Sequence, residues 1–212
     1  MQKELTFYLI RHGRTVWNDQ GLMQGSGNSD LTEGGVKGAQ LTGKALADVP
    51  FVAAYSSCLQ RTIDTANHIL SERDIPLFQH NGLNEHAFGS WEGQDIAIIR
   101  ELDEFRIMQE DPANYKAESN GGETWGELAE RAMKAIHDIA KIHDNGNILV
   151  VSHGHTIRLL MGLFNGATWQ THREEGNSEP MRNTSISIVR YIQNGNDVQF
   201  IIEKCNDVAH LE

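Results

Sequence analysis

Apolar and polar positions along the chain follow two rhythms. Leu5, Phe7, Tyr8, Leu9 and Ile10 make a short β-prone run that ends at Arg11-His12-Gly13-Arg14, as a buried strand does when it delivers polar side chains to its C-terminal edge. From Thr32 the spacing turns helical through Val36, Ala39 and Leu46 and stops near Pro50, where the residue before a proline leaves the helical region. Phe51 to Tyr55 reads as a second strand. Ser57 with Gln60 predicts a capping box that opens a helix carrying Leu59, Thr62, Ile63, Ala66, Ile69 and Leu70 on one face. Leu77-Phe78 predicts a brief third strand, and 82–93 an irregular segment. Residues 94–122 are mixed: Ile96, Ile98, Ile99, Leu102 and Phe105 are helically spaced, while Asp111-Pro112 and Gly121-Gly122 interrupt them. This is expected to be a mobile helical excursion covering the site.

Thr124 and Glu127 form a second capping-box pattern, and Leu128, Ala132, Ile136, Ile139 and His143 mark one face of a long helix that Asn145-Gly146 is expected to close. Ile148 to Val151 then ends at Ser152-His153-Gly154, repeating the strand-to-polar-edge design of the first strand. A helix over 156–164, a polar loop to Arg182, and a hairpin of 185–191 and 198–204 around Asn194-Gly195 complete the chain. Strands alternating with helices predict an α/β fold: a three-layer α/β/α sandwich whose central sheet is mostly parallel with an antiparallel edge. One domain is expected over 1–212. Ligands then bind at the carboxyl ends of the strands, where two strands each place a histidine.

Composition narrows the partners. The 212 residues carry 18 Lys+Arg against 29 Asp+Glu, a formal charge of −11, with 39% hydrophobic residues. That length supports one core without staples, and the acidic balance argues against nucleic acid, which needs a dense basic footprint. Cys58 and Cys205 form no paired motif, Cys58 being read as a buried thiol, and a reduced cytoplasm is the expected compartment. The first ten residues are too short an apolar run for a signal segment or a membrane span, so no membrane association is expected.

Arg11-His12-Gly13 is a weak motif alone, but four others accompany it in order. These are Asn18; Ser56-Ser57 with Leu59, Arg61 and Thr62; Leu83 and Glu85 with Gly89, Trp91, Glu92 and Gly93; and Val151-Ser152-His153-Gly154. Together with Gly122-Glu123-Thr124 and Asn183-Thr184-Ser185, they resemble the histidine phosphatase superfamily, the phosphoglycerate-mutase-like proteins, over nearly the whole chain. The resemblance implies the phosphoglycerate mutase-like fold, selects Glu85 rather than nearby Glu92 as the acid, and gives Asn18 a phosphate contact.

Elementary chemistry leads the same way. A phosphomonoester carries nearly two negative charges, so its hydrolysis needs neutralised oxygens, a nucleophile and a leaving-group acid. His12 supplies the nucleophile, a neutral imidazole forming a phosphohistidine. Arg11 and Arg61 offer planar donor forks, and His153, if protonated, adds a charged donor. Glu85 protonates the departing alkoxide and then activates water, and Gly13 and Gly154 let backbone approach the phosphate. Trp91 is expected to be a packing anchor.

The resemblance leaves two activities. Cofactor-dependent mutases follow the catalytic glutamate with a basic, tyrosine-containing stretch, whereas here His86-Ala87-Phe88-Gly89-Ser90 follows Glu85 and the 94–122 excursion is acidic. Hydrolysis of a small phosphomonoester is therefore the expected activity, phosphoglycerate mutase the alternative, and a non-catalytic phospho-ligand-binding protein the third reading. Arg14 and the Gln24-Gly25 loop depart from the usual family pattern. They join His86, His155, Arg173 and Arg182 as candidates for the substrate's far end. Gly38 to Ala45 nearly matches a P-loop, but Ala45 replaces the magnesium-holding hydroxyl and the stretch is helical. His153 and His155 lack the company of a metal motif. Neither a metal nor another cofactor is expected; the oligomeric state is open.

Overall fold

A computed structural model describes all residues, Met1–Glu212. The strands are β1 (Gln2–Arg11), β2 (Phe51–Ser56), β3 (Leu77–Gln79), β4 (Asn145–Ser152), β5 (Ile186–Asn194) and β6 (Asp197–Asp207). The helices are α1 (Val16–Gln20), α2 (Glu33–Ala45), α3 (Gln60–Leu70), α4 (Ile96–Ile99), α5 (Asp103–Glu110), α6 (Trp125–Ile142) and α7 (Gly154–Phe164). The six strands form one sheet in the order β3-β2-β4-β1-β5-β6. β1, β2, β3 and β4 run parallel, and β5 and β6 are antiparallel to their neighbours. This is the α/β/α sandwich that the periodicity predicts.

Alternation along the central strands divides the core. Leu5, Phe7 and Leu9 of β1 and Ile148 and Val150 of β4 pack with Ala132, Ile136 and Leu160 of α6 and α7. Ile10, Leu149 and Val151 face Ala39 of α2 and Ala66 and Ile69 of α3 on the other side. A third cluster, Phe88, Trp91, Met108, Tyr115, Trp125 and Leu159, anchors the excursion to α6 and α7, and the Trp125 indole N–H donates to the Met108 carbonyl at 3.0 Å. Trp91 is the packing residue expected.

Several boundaries differ from the sequence reading. β1 extends both ways because it is paired on both sides, with β4 and β5. α6 ends at Ile142, and Asn145-Gly146 opens β4 instead of closing the helix, since both pair with Glu4 and Leu5 of β1. Thr124 and Glu127 do form the capping box. α3, in contrast, begins behind Leu59 with no side-chain cap, and Ser57 is used elsewhere. Cys58 is exposed, not buried, because it lies in the turn between β2 and α3. The P-loop-like stretch lies in α2. α4 and α5 are the helical pieces of the excursion.

Candidate active site

The β1–β4 register ends with Arg11 opposite Ser152, so the next residue of each strand is a histidine at the same edge. The His12 N–H donates to the Ser152 carbonyl at 3.0 Å, and the His12 and His153 ring centroids lie 5.2 Å apart. His12 Nδ1 is 2.7 Å from the Gly13 carbonyl oxygen. A carbonyl only accepts, so the ring proton sits on Nδ1 and the Nε2 lone pair is left for the cavity. Burial, followed by the positive charges of Arg61 and Arg11, pushes the His12 pKa well below the usual imidazole value. The ring is therefore neutral at neutral pH.

Gly13 makes room for protein, not phosphate: a Cβ there would stand 2.6 Å from the Gly35 carbonyl oxygen of α2. At Gly154 a Cβ would come within 3.3 Å of Arg11 Nε.

Arg61 is fully buried. Its Nη2 donates to the Gly25 carbonyl at 2.7 Å, and its Nη1 to the Gly27 carbonyl and the Asn28 side chain. Gly25 holds the left-handed conformation, φ +54°, with Glu92 and Phe88 where a side chain would go. Glu92 in turn accepts from the Ser26 and Phe88 N–H groups. Burial lowers the Arg61 pKa to about 10, Glu85 opposing and Arg11 adding to the shift, which leaves the guanidinium charged at neutral pH. Arg11 Nη1 donates to the Met181 carbonyl at 2.7 Å. The Nε of Arg11, the Nε of Arg61 and the Nδ1 of His153 are buried with no partner. Unmatched buried polar atoms each cost about 1–3 kcal/mol, and these three lie on residues at one edge of the sheet.

His153 Nε2 lies 2.8 Å from Ser57 Oγ, which is 2.7 Å from Thr62 Oγ1. This is where Ser57 went: it holds a histidine instead of capping α3. Burial first, then Arg61, His12 and Arg11, push the His153 pKa well below the usual value. Burial and the neighbouring arginines thus disfavour the charged form of the ring, and its Nδ1 has no partner.

Glu85 sits at the N-terminus of α7. Its Oε1 accepts from the Thr156 N–H and hydroxyl, both 3.1 Å, and from its neighbour His86 N–H at 2.9 Å, while Oε2 accepts from the His155 N–H at 3.2 Å. Arg131 on α6 fixes the loop that carries it. Nε and Nη2 grip the Glu123 carboxylate at 2.6 and 2.8 Å, Nη1 donates to the Gly82 and Asn84 carbonyls, and Nη2 also reaches the Glu85 carbonyl at 2.9 Å. All the guanidinium donors are used.

Two cavities adjoin. One of about 200 Å³ is lined by Arg11, His12, Asn18, Gln24, Gly25 and Glu85, with Phe88, Ile96, Phe105 and Met108 as an apolar wall. The other, about 230 Å³, shares Arg11, Glu85, Gln109 and His155 and adds Gly154, Arg158 and Arg173. A larger cavity of about 920 Å³ between α2 and α3 lies away from both histidines and has no comparable cluster.

The structure thus gathers Arg11, His12, Asn18, Arg61, Glu85, His153, Gly154, Gln24, Gly25, His155 and Arg173 around one edge. Arg14 is not among them; it is exposed and pairs with Asp19. Arg182 lines neither cavity. His86 is buried behind the site, against His155 and the Glu123 carbonyl. Ser57 was read as a cap, and Arg131, Arg158 and Thr156 carry no motif of their own. Only the Glu123 motif pointed toward the clamp.

A histidine pair and two arginines, one of them fully buried, at the carboxyl edge of parallel strands beside a carboxylate, define a class of α/β phosphoryl-handling proteins. The chain belongs to the histidine phosphatase superfamily (branch 1), whose family profile matches residues 7–204. A metal-independent phosphoserine phosphatase of Arabidopsis thaliana is 31% identical, over 100% of this chain and 85% of that protein. A 2,3-bisphosphoglycerate-dependent phosphoglycerate mutase of Bartonella quintana is 32% identical, over 76% of this chain and 82% of that protein. The solved structure of Bacillus stearothermophilus YhfR superposes with a TM-score of 0.88 at 33% identity, covering 98% of this chain and 100% of that one. No helix is long and apolar enough to cross a membrane.

Proposed function

We propose that the protein is a metal-independent phosphatase that hydrolyses a small phosphomonoester through a phosphohistidine on His12. The observation that carries the reading is the Gly13 carbonyl on His12 Nδ1, which holds the ring in the tautomer whose Nε2 attacks. Arg11, Arg61, Asn18 and His153 receive the phosphoryl oxygens, the unmatched nitrogens gaining partners as charge spreads over the equatorial oxygens. Nε2 bonds to phosphorus as the P–O ester bond breaks, and Glu85 gives its proton to the leaving alkoxide. Glu85 then takes a proton from water, whose oxygen attacks phosphorus, breaking the P–N bond and releasing inorganic phosphate. The segment 94–122 closes the site from above, its Ile96, Phe105, Met108 and Gln109 forming part of the cavity wall.

Phosphate release from a panel of small phosphomonoesters, in chelator, tests this. Release that survives chelation and vanishes in His12→Ala, with acid-labile phosphate on the wild-type protein during turnover, is the expected result. Release that persists in His12→Ala would overturn it. One observation favours a mutase instead: Arg158 and Arg173 beside the second cavity would suit a second anionic group. Phosphoryl exchange between phosphoglycerates without net phosphate release is the outcome that reading requires.

A further inference from the structure

The proton positions of two histidines behind the site follow from one carbonyl. His86 Nε2 lies 2.6 Å from the Glu123 carbonyl oxygen, which can only accept, so His86 carries its proton on Nε2. Burial lowers the His86 pKa to about 4, so the ring is neutral and its Nδ1 is a lone pair. His155 Nδ1 stands 3.1 Å from that Nδ1, and the proton between them must therefore belong to His155. Burial, with His86 and Arg173 adding to it, pushes the His155 pKa well below the usual value. Its Nε2 is then also a bare lone pair.

That lone pair makes no hydrogen bond within the protein, and the His155 ring lines both cavities at their junction with Arg11 and Glu85. The ring is held by stacking on Trp125, 4.9 Å between centroids at 26°, and by the edge contact with Phe88 at 5.3 Å. Apart from His12 Nε2, which attacks phosphorus, the other side-chain acceptors lining the cavities already hold a partner. The oxygens of Asn18, Gln24 and Gln109 accept from the Thr15 N–H, Ser29 and Arg173, and the arginines only donate. Glu85 serves the ester oxygen.

We propose that His155 determines substrate choice: its Nε2 accepts a hydrogen bond from a hydroxyl or ammonium group on the carbon next to the phosphate ester. The placement follows from the cavities, where His155 and Glu85 are lining residues of both and the His155 backbone N–H holds the Glu85 carboxylate at 3.2 Å. This deepens the phosphatase reading and rests on it. An acceptor held in place by stacking discriminates because a substrate without the donor leaves it unpaired.

Two matched pairs test the proposal on the full chain: glycerol 3-phosphate against propyl phosphate, and ethanolamine phosphate against ethyl phosphate. The donor-bearing member of at least one pair is expected to have a kcat/KM about 10- to 100-fold higher, and the pair that shows it separates hydroxyl from ammonium. His155→Leu should bring that ratio close to one, and His155→Gln, which keeps an acceptor, should restore part of it. Histidine-selective 15N NMR of the wild type reads the tautomer without any substitution: His155 protonated on Nδ1 and bare on Nε2. Equal efficiency within both pairs, a ratio that survives in folded His155→Leu, or a proton on His155 Nε2 would each overturn the proposal alone. No release from any of the four esters would overturn the phosphatase reading and the proposal with it.

Discussion

Replacing Arg131 by Met removes the clamp under Glu85 while keeping the length of the aliphatic stem. The side chain is mostly buried against a Glu123 carboxylate that is only 13% exposed. Three loop carbonyls, at Gly82, Asn84 and Glu85, lose their charged donors. Glu123 keeps one other long-range donor, the Ala87 N–H at 3.2 Å. Breaking such a buried pair from one side costs about 3–5 kcal/mol, mostly because the remaining charge stays unpaired. For a domain of this size that corresponds to a fall in Tm of about 6–20 °C. The loop that moves also carries the leaving-group acid. A displacement of about 1 Å costs on the order of 100-fold in rate, and the loss should be greater for alkyl than for aryl phosphates, since aryl leaving groups need little protonation. Arg131→Met combined with Glu123→Leu should recover much of the stability and little of the rate. Thermal unfolding and kcat on both ester classes are the measurements. A fall in Tm below about 2 °C, or equal rate losses on both classes, would refute the assignment of Arg131 to loop positioning.

Glu85→Gln should likewise slow alkyl phosphates far more than aryl phosphates, and a uniform loss in a steady-state comparison would remove Glu85 from the acid role. Ser57→Ala frees the His153 ring and should lower kcat about tenfold, with a fall in Tm of a few degrees from the buried partners it leaves unmatched; an unchanged kcat would show that the Ser57–His153 bond does not serve the reaction. The histidines His12, His86, His153, His155 and His172 all have pKa values depressed by burial. Below pH of about 6.5 the unfolded chain binds protons that the fold refuses, so stability is complete above that pH and declines as pH falls through it. The slope reaches about 1.4 kcal/mol per pH unit for each histidine, continuing for His86 and His172 down to about 4. A Tm that is the same at pH 7.5 and pH 5 would show that these rings are not buried in neutral form.

The elements that carry the chemistry were legible because each has a local cause. β1 and β4 are apolar runs that stop at a polar edge, and Thr124 and Glu127 cap α6 from their own side chains. The site residues His12, Arg61, Glu85 and His153 stood out through motif company, and Asn18 through the family resemblance alone. Errors arose where a residue had a local use and a distant one. Ser57 had the spacing of a cap, but His153, 96 positions away, offers its side chain a partner. Asn145 and Gly146 suit a helix stop, but pairing with β1 recruits them into the sheet.

Patterning by itself determined the α/β order, the parallel core strands and the delivery of two histidines to one edge, because hydrophobic periodicity and capping act within a few residues. Tertiary structure decided everything that depends on which groups meet. It set the His12 tautomer through the Gly13 carbonyl, lowered the His153 pKa through burial beside Arg61, and took Arg14 away from the site to Asp19. It also linked Glu123, His86 and His155 into one chain of contacts. Proton positions and desolvation depend on partners far apart in sequence, and no local pattern encodes them.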